Sequence, residues 1–338
     1  MKRILSFVRR KPMLSTMLVV LLGFVGLNAI AYMHAYRMTH FTPHSSKPRT
    51  QNPEQLSVSQ KLNTLLTGVH VPKPINRMTP KSLGLSFQER WLHDGSFKIH
   101  VWRLANKSRK TAFLFHGYAG KKEDMLYEAK LLHRMGYNIV LIDFPGSGNS
   151  EGKSTTLGVR EAQTVKAIVH HYTKKHPQQT YILVGFSMGA VAILRAVATY
   201  KLKPVFLVLS CPFDSLLSAV QNRFKLMGIP SFPSAQLLVF WGGVQHGFNG
   251  FRHVASTYAK HITTPTLLLQ GDNDPRVTIP QSKLVFEALK SPKRMHVFKG
   301  YGHVSYAKVL PTKWQSLVQS FAQQATNPQT KRPMDRDK

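Results

Sequence analysis

A serine between two glycines lies at the point where an apolar strand gives way to a helix. The segment Gly185-Phe186-Ser187-Met188-Gly189 follows the run TYILV and precedes the run AVAILRAVATY. In so tight a turn a side chain two positions to either side of the serine would collide with its surroundings, so both positions must be glycine. The hydroxyl then points away from the sheet, above a helix N-terminus. We interpret Ser187 as a candidate nucleophile; a plain glycine-rich turn is the alternative.

A serine nucleophile needs a general base, and histidine fills this role most often. The chain contains 16 histidines. His303 comes just after the last apolar strand, RMHVFKG, where it is expected to reach over Ser187. His116, which precedes a glycine at a strand end, is the rival candidate, although its side chain is better suited to support of the loop.

The base in turn needs a carboxylate that orients its ring. The stretch LLLQGDNDPRVTIP offers Asp272 and Asp274 directly after a strand. Asp274 lies on the far side of this turn and is the favoured candidate, whereas Asp272 fits the role of a turn residue. Asp214, which follows the preceding strand, is the alternative acid.

Acyl transfer also needs donors for the oxyanion of the tetrahedral intermediate, and backbone N–H groups on rigid elements suit this task. The stretch FLFHGYAG places Tyr118 directly after a strand end. We expect the N–H groups of Tyr118 and Met188 to face the developing negative charge.

The elements that must position these residues alternate between strand and helix. FQERWLH and SFKIHVWRL, joined by Asp94-Gly95, predict a hairpin. About six further apolar strands are interleaved with amphipathic helices, which predicts a mostly parallel eight-stranded sheet with helices on both faces, an α/β fold. Residues 212–263 interrupt the alternation as a helical, aromatic-rich insertion, interpreted as a lid over the sheet edge where ligands bind. We assign residues 56–326 to this domain.

The N-terminus predicts a membrane segment. Residues 1–12 carry five positive charges and no acid, and residues 13–33 form an uncharged apolar run long enough to cross a bilayer as a helix. An uncleaved signal-anchor is favoured over a signal peptide cut before Tyr32, although Ala29 and Ala31 would suit a cleavage site. Positive charge is retained in the cytoplasm, which predicts a single-pass protein with an exported body.

Composition limits the remaining possibilities. Lys and Arg number 46 against 15 Asp and Glu, a net charge of +31. The basic residues are scattered, so attraction to anionic surfaces is preferred and no nucleic-acid partner is expected. The sequence has no metal cluster, dinucleotide fingerprint or P-loop, which predicts no cofactor and no metal.

Cys211 is the single cysteine and is expected to be a buried thiol. Residues 34–55 are interpreted as a linker and residues 327–338 as a disordered tail.

The order Ser187, Asp274, His303, together with the His-Gly turn and the stretch DFPGSGNSEG (Asp143–Gly152), resembles the α/β-hydrolase superfamily. The resemblance runs from about residue 87 to 325. It is nearest to the membrane-anchored, lid-bearing serine hydrolases grouped near the serine aminopeptidases and monoacylglycerol-lipase-like enzymes. In that group the stretch similar to Asp143–Gly152 is a structural loop. Many members have Asn, Phe or Gly where Tyr118 stands, which implies a narrower pocket here.

These observations predict a serine hydrolase that cleaves an ester through an acyl-enzyme, on an apolar, small-molecule or lipid-like substrate. The lid aromatics suit either an acyl chain or helix packing; they are Phe232, Phe240, Trp241, Phe248 and Phe251. Asp214 is the one acid between Cys211 and Pro265, so little is available to bind the free amine of a peptide. A serine peptidase, a thioesterase and a silent hydrolase scaffold that binds a partner at the membrane are the alternatives. The sequence predicts no oligomeric state.

Overall fold

The computed structural model of the protein describes residues 12–43, 48–51 and 55–326. The basic residues before Pro12 and the predicted tail, 327–338, lie outside the described residues. The strands are β1 (Gln88–His93), β2 (Lys98–Leu104), β3 (Lys110–Phe115), β4 (Asn138–Ile142), β5 (Thr180–Phe186), β6 (Leu207–Ser210), β7 (Thr266–Gly271) and β8 (Lys293–Phe298). The α-helices are α1 (Pro12–Thr39), α2 (Val58–Thr67), α3 (Leu126–Arg134), α4 (Glu161–Lys175), α5 (Met188–Tyr200), α6 (Leu216–Met227), α7 (Ser234–His246), α8 (Ala255–Ala259), α9 (Ile279–Ala288), α10 (Tyr306–Val309) and α11 (Pro311–Thr326).

All eight strands form one sheet in the order β1-β2-β4-β3-β5-β6-β7-β8. The pairs β1–β2 and β2–β4 are antiparallel, and the other neighbouring pairs are parallel. The predicted mostly parallel α/β sheet is therefore confirmed. Because its parallel strands all run the same way, the turns after β3, β5 and β7 meet at one edge of the sheet.

Two apolar cores cover the faces of the sheet. Helices α4 and α5 pack on one face, where Val165, Ile168 and Ile193 are fully buried. Helices α3 and α11 pack on the other, where Leu132 and Phe321 are fully buried. Each such side chain stabilises the fold by about 1.5–3 kcal/mol relative to exposure, so the two cores hold the sheet edge and its turns rigidly.

Helix α1 is longer than the sequence analysis predicted. It does not end at Met33 but continues to Thr39, and the next residues pair with the domain through the bridges His40–Ser154 and Thr42–Pro72. Residues 34–43 are thus part of the folded body and not a linker. The physical reason is tertiary: Ala35 and Thr39 lie on one face of the helix and are buried against the protein.

The insertion after β6 is helical, as expected from its lack of strand signals. Helices α6, α7 and α8 and a 3-10 turn, Gly250–Arg252, lie between β6 and β7. Leu216 and Val220 of α6 pack with Ala235 and Val239 of α7 in a separate small core. Of the lid aromatics, Phe232, Phe240 and Phe251 are exposed, whereas Phe248 packs on this core.

Candidate active site

Ser187 occupies a sharp turn between β5 and α5. Its backbone has φ 52° and ψ −116°, a left-handed conformation that non-glycine residues rarely adopt. A Cβ on Gly185 would lie 2.7 Å from the backbone nitrogen of Ala190, and a Cβ on Gly189 would overlap the carbonyl oxygen of Phe115. Both glycines are therefore required by the close approach of strand and helix, for the reason that the spacing predicted.

His303 and Asp274 form a close pair at the same sheet edge. Asp274 follows β7 and His303 follows β8, and His303 Nδ1 lies 2.7 Å from Asp274 Oδ2. The imidazole also packs on the ring of Phe186, with the ring centroids 4.8 Å apart. Donation of the Nδ1 proton to the carboxylate leaves Nε2 as an acceptor, the tautomer that a general base requires.

Asp274 is held by a set of donors. Its Oδ1 accepts from the backbone N–H groups of Arg276, at 2.9 Å, and Val277, at 3.0 Å. The Gln270 amide, at 3.3 Å, donates to Oδ2. Burial alone would raise the pKa of Asp274, but the hydrogen bond and charge of His303 and these N–H groups outweigh it, so the pKa lies below its ordinary value. The carboxylate therefore stays ionised beside the imidazole.

Ser187 and His303 line one cavity of about 140 Å³. The structure has no hydrogen bond between the Ser187 hydroxyl and the His303 ring. Such bonds are often long in unliganded enzymes and tighten when substrate binds. Ser187 is 9% exposed and lines this cavity.

The rival residues have other partners. Asp272 accepts from the backbone N–H of Gly300 at 2.6 Å, and Asp214 from that of Ser256 at 3.3 Å, so each organises a turn or helix end. The fully buried His116 accepts from the backbone N–H of Phe144 through Nε2, at 3.1 Å. Its Nδ1 lies 2.8 Å from the Gly117 carbonyl, and burial lowers its pKa.

The expected oxyanion donors border the same cavity. Tyr118 and Met188 both line it, and neither of their backbone N–H groups donates to another described residue. Met188 is the first residue of α5, where backbone N–H groups have no partner within the helix. The Tyr118 hydroxyl points the other way and donates to the carbonyl of Met38 in α1, at 2.6 Å.

Several lining residues were not singled out in the sequence, and four of them shape the cavity most clearly. Arg49, Arg223 and Arg276 bring positive charge to the cavity, and Met38 closes one side. Arg223 also lies 5.9 Å from the centre of the Tyr118 ring. No acidic residue is among the described lining residues. The sequence carries no signal for this group, because no motif marks any of these positions.

Cys211 lies behind the histidine–aspartate pair. A ligand atom of Cys211, one of Asp274 and one of His303 all lie within 4.8 Å of one another. Metal binding would require the thiolate, but burial raises the pKa of the Cys211 thiol well above its ordinary value. The thiol instead lies 3.1 Å from the Tyr306 hydroxyl. Its surroundings favour a structural role.

The loop Asp143–Gly152 is organised by a buried ion pair. Asp143 and Lys122 are both fully buried, and the Lys122 ammonium contacts Asp143 Oδ2 directly. Asp143 also accepts from the Lys122 backbone N–H at 2.8 Å and from the Asn76 amide at 2.9 Å. A Cβ on Gly148 would overlap the Asp143 carboxylate. These contacts fit the structural loop that the resemblance implied.

Comparison with known proteins agrees with this architecture. Residues 106–236 match the family described as Serine aminopeptidase, S33. The chain is 25% identical over 215 residues to the uncharacterized protein YqkD of Bacillus subtilis, covering 62% of this chain and 70% of that one. It is 24% identical over 273 residues to the lysophosphatidylserine lipase ABHD12 of Danio rerio, covering 72% and 69%.

A solved structure supports the same assignment. The esterase of Pyrococcus furiosus superposes with a TM-score of 0.64 at 27% identity, covering 75% of this chain and 96% of that one. The eight-stranded sheet, the turn at Ser187 and the family match over residues 106–236 together show that the chain has the α/β-hydrolase fold. It resembles the serine aminopeptidase group in particular.

Proposed function

We propose that the chain is a serine hydrolase that cleaves carboxylic esters, with Ser187 as nucleophile, His303 as general base and Asp274 as the orienting acid. The observation that carries this proposal is the 2.7 Å contact between His303 Nδ1 and Asp274 Oδ2 beside the cavity that contains Ser187.

The reaction follows from these positions. His303 Nε2 takes the hydroxyl proton as Ser187 Oγ attacks the ester carbonyl, and the N–H groups of Tyr118 and Met188 stabilise the oxyanion. Collapse of the intermediate breaks the bond to the alcohol oxygen, which leaves with the proton from His303. Water, deprotonated by the same imidazole, then attacks the acyl-enzyme and releases the acid and free Ser187. The Asp274 carboxylate stabilises the imidazolium in both steps.

The charge of the cavity favours an ester over an aminopeptidase substrate. A free α-amino group needs a carboxylate, but the described lining residues include Arg49, Arg223 and Arg276 and no acid. The names of two relatives agree, one an esterase and the other a lysophosphatidylserine lipase. An apolar cavity wall made by Leu157, Phe213 and other side chains suits a lipid-like acyl group.

We also propose that α1 is a retained membrane anchor. Residues 13–39 form a helix long and apolar enough to cross a membrane, and only 6% of its most apolar window is buried. The cleavage site considered from the sequence falls inside this helix, where Ala31 is 2% exposed. A retained helix keeps the hydrogen bonds of Asn28 and Tyr32 with α7, and cleavage before Tyr32 would remove the first of them. The positive charge before the helix favours a cytoplasmic N-terminus and an exported hydrolase domain.

A substrate panel tests the proposed reaction. Membranes containing the native chain are assayed with p-nitrophenyl esters, the matching thioesters and aminoacyl p-nitroanilides, beside Ser187→Ala. We expect ester turnover that is lost in the variant. Faster cleavage of the thioesters or the anilides than of the esters would show that the proposed substrate class is wrong. Equal rates of ester turnover in the native chain and in Ser187→Ala would refute a serine mechanism. Ser96→Ala, in the β1–β2 turn, is the matched control.

A further inference from the structure

A second cavity adjoins the one that contains Ser187. Four residues, Met38, Leu157, Leu216 and Val220, line both cavities. From there the second cavity extends between the last two turns of α1 and the lid helix α7. Its remaining lining residues are Ala35, Thr39, Thr156, Leu238, Val239, Gly242, His246 and Phe248. We call this space the α1–α7 cavity.

The α1–α7 cavity is suited to hydrocarbon. None of its described lining residues carries a fixed charge. Its two threonine hydroxyls already donate within the protein, Thr39 to the Ala35 carbonyl at 2.8 Å and Thr156 to Glu161 at 2.7 Å. Burial lowers the pKa of His246 to about 4, so this side chain is neutral near pH 7. A polar ligand would find few partners here, whereas an alkyl chain needs none.

One wall of this cavity belongs to the apolar N-terminal helix. Helix α1 is fixed to α7 by hydrogen bonds from the Trp241 indole to Asn28, at 3.1 Å, and from the Gln245 amide to the Tyr32 carbonyl, at 2.8 Å. The rings of Tyr32 and Trp241 also meet edge to face, with centroids 5.4 Å apart. The bond from Tyr118 to Met38 ties the end of the same helix to the expected oxyanion turn.

We propose that α1 is a specificity element as well as an anchor: its last turns form the wall of an acyl-chain subsite, and Met38 sets the chain length that reaches Ser187. The occupant is the distal end of the single acyl chain of the ester, because the α1–α7 cavity, at about 40 Å³, holds only a few carbons beyond the Ser187 cavity of about 140 Å³. The proposal rests on the ester hydrolysis proposed above. Methionine suits the junction of two cavities because its unbranched side chain can move aside for an alkyl chain.

The test is a chain-length profile of the full-length chain in membranes, with p-nitrophenyl esters from acetyl to palmitoyl. Met38→Trp fills the junction and is expected to lower the ratio of kcat/KM for lauroyl over acetyl ester by about tenfold or more. Gly242→Leu fills the cavity from the α7 side, where an added Cβ meets no atom within 4 Å. We expect it to shift the ratio in the same direction.

Met17→Trp is the matched control, because Met17 is 68% exposed on the same helix and lines none of these cavities. Its ratio should equal that of the native chain. Labelling of Ser187 by a small fluorophosphonate verifies that each variant is folded. An unchanged ratio in labelled Met38→Trp and Gly242→Leu overturns the acyl-chain subsite while ester hydrolysis stands. If the native chain shows neither labelling nor ester turnover, the proposed reaction is refuted, and the proposed subsite with it.

Discussion

At the scale of single residues, the geometry at Ser187 explains why so few side chains fit around it. The left-handed backbone at Ser187 places strand β5 and helix α5 in direct contact, and the Gly189 position touches the carbonyl of Phe115. The carboxylate of Asp274 has two backbone donors and His303 as partners. In the proposed mechanism this rigidity keeps the imidazole aligned through both acyl-transfer steps.

Replacing the orienting acid tests this alignment. Asp274→Asn removes the charge that stabilises the imidazolium and allows the wrong tautomer of His303, so we expect kcat for ester hydrolysis to fall by about 10³–10⁴-fold. The measurement is steady-state kinetics on a p-nitrophenyl ester at neutral pH.

Two other aspartates provide matched controls for that substitution. Asp272→Asn and Asp214→Asn make the same chemical change at residues that cap a turn and a helix end. Each should keep kcat within a few fold of the native value. A larger loss of kcat in Asp214→Asn than in Asp274→Asn would show instead that Asp214, which follows β6, is the orienting acid.

Sequence reasoning at this scale proposed three candidate catalytic residues that follow strand ends, and it missed Arg49 and Met38, which lie in the N-terminal segment. Ser187, Asp274 and His303 each come directly after an apolar strand, and parallel strands bring such positions to one edge. Arg49 and Met38 reach the cavity from the N-terminal segment, which lies outside the sheet. Arg49 donates to the Ala119 carbonyl at 3.3 Å, and the helix that bears Met38 is bonded to α7. No local sequence pattern encodes either contact.

At the scale of elements, helix α3 supports the loop that bears His303. Glu128 of α3 is 4% exposed and accepts from the Ser305 hydroxyl at 2.6 Å. Ser305 in turn caps α10 by accepting from the Lys308 backbone N–H. Burial raises the pKa of Glu128 to about 7, which the bond from Ser305 only partly opposes. The loop is therefore held by a carboxyl group that is neutral in mildly acidic solution.

This raised pKa makes stability depend on pH. The carboxyl is protonated in the folded chain up to about 7 but ionises near 4.5 when unfolded. The contribution of Glu128 to stability is therefore most favourable below pH 4.5 and falls as pH rises from 4.5 to about 7. Glu128→Gln removes this penalty and keeps an acceptor for Ser305, so it should stabilise the chain at pH 8 by about 2–4 kcal/mol. The gain should shrink to about zero at pH 4.

Thermal unfolding of the detergent-solubilised chain at the two pH values checks this prediction. Glu287→Gln, at an exposed position on α9, is the control. It should change the free energy of unfolding by the same small amount at both pH values. A stabilisation by Glu128→Gln that is equal at both pH values would show that packing, not ionisation, is responsible.

The elements themselves were largely predictable, with one exception. Buried strands such as NIVLI in β4 and TLLLQG in β7 are continuous apolar runs, which the parallel sheet requires. The end of α1 was missed because residues 34–39 are too polar to extend a membrane segment by composition. They are helical because Ala35 and Thr39 pack on the lid, a contact between segments about 200 residues apart.

At the scale of the whole molecule, the catalytic domain and the N-terminal helix form one unit. Helix α1 packs on α7 of the lid, and the lid borders the Ser187 cavity. The exposed side chains of Phe240 and Val244 lie on α7 itself. In the proposed topology α7 therefore lies close to the membrane surface, because it packs on the end of the apolar helix, and the net charge of +31 favours anionic lipid there.

Membrane extraction tests the retained anchor. A chain held by a spanning helix should stay with the membrane after washes in high salt and in alkaline carbonate, because screening weakens surface charge but not apolar burial. The N-terminal peptide of the mature chain should include residues before Ala29. Release by salt, or a mature N-terminus at Tyr32, would contradict the anchor and leave only charge to hold the protein at the surface.

The most direct test of the central claim is fluorophosphonate labelling of the full-length chain in membranes, because this probe reacts only with an activated serine. Native chain, Ser187→Ala and His303→Ala are compared, with His296→Ala as the histidine control on β8. The proposed mechanism predicts a labelled band in the native and His296→Ala chains, none in Ser187→Ala and a severely weakened one in His303→Ala. Equal labelling of all four, or none in a folded native chain, would contradict it.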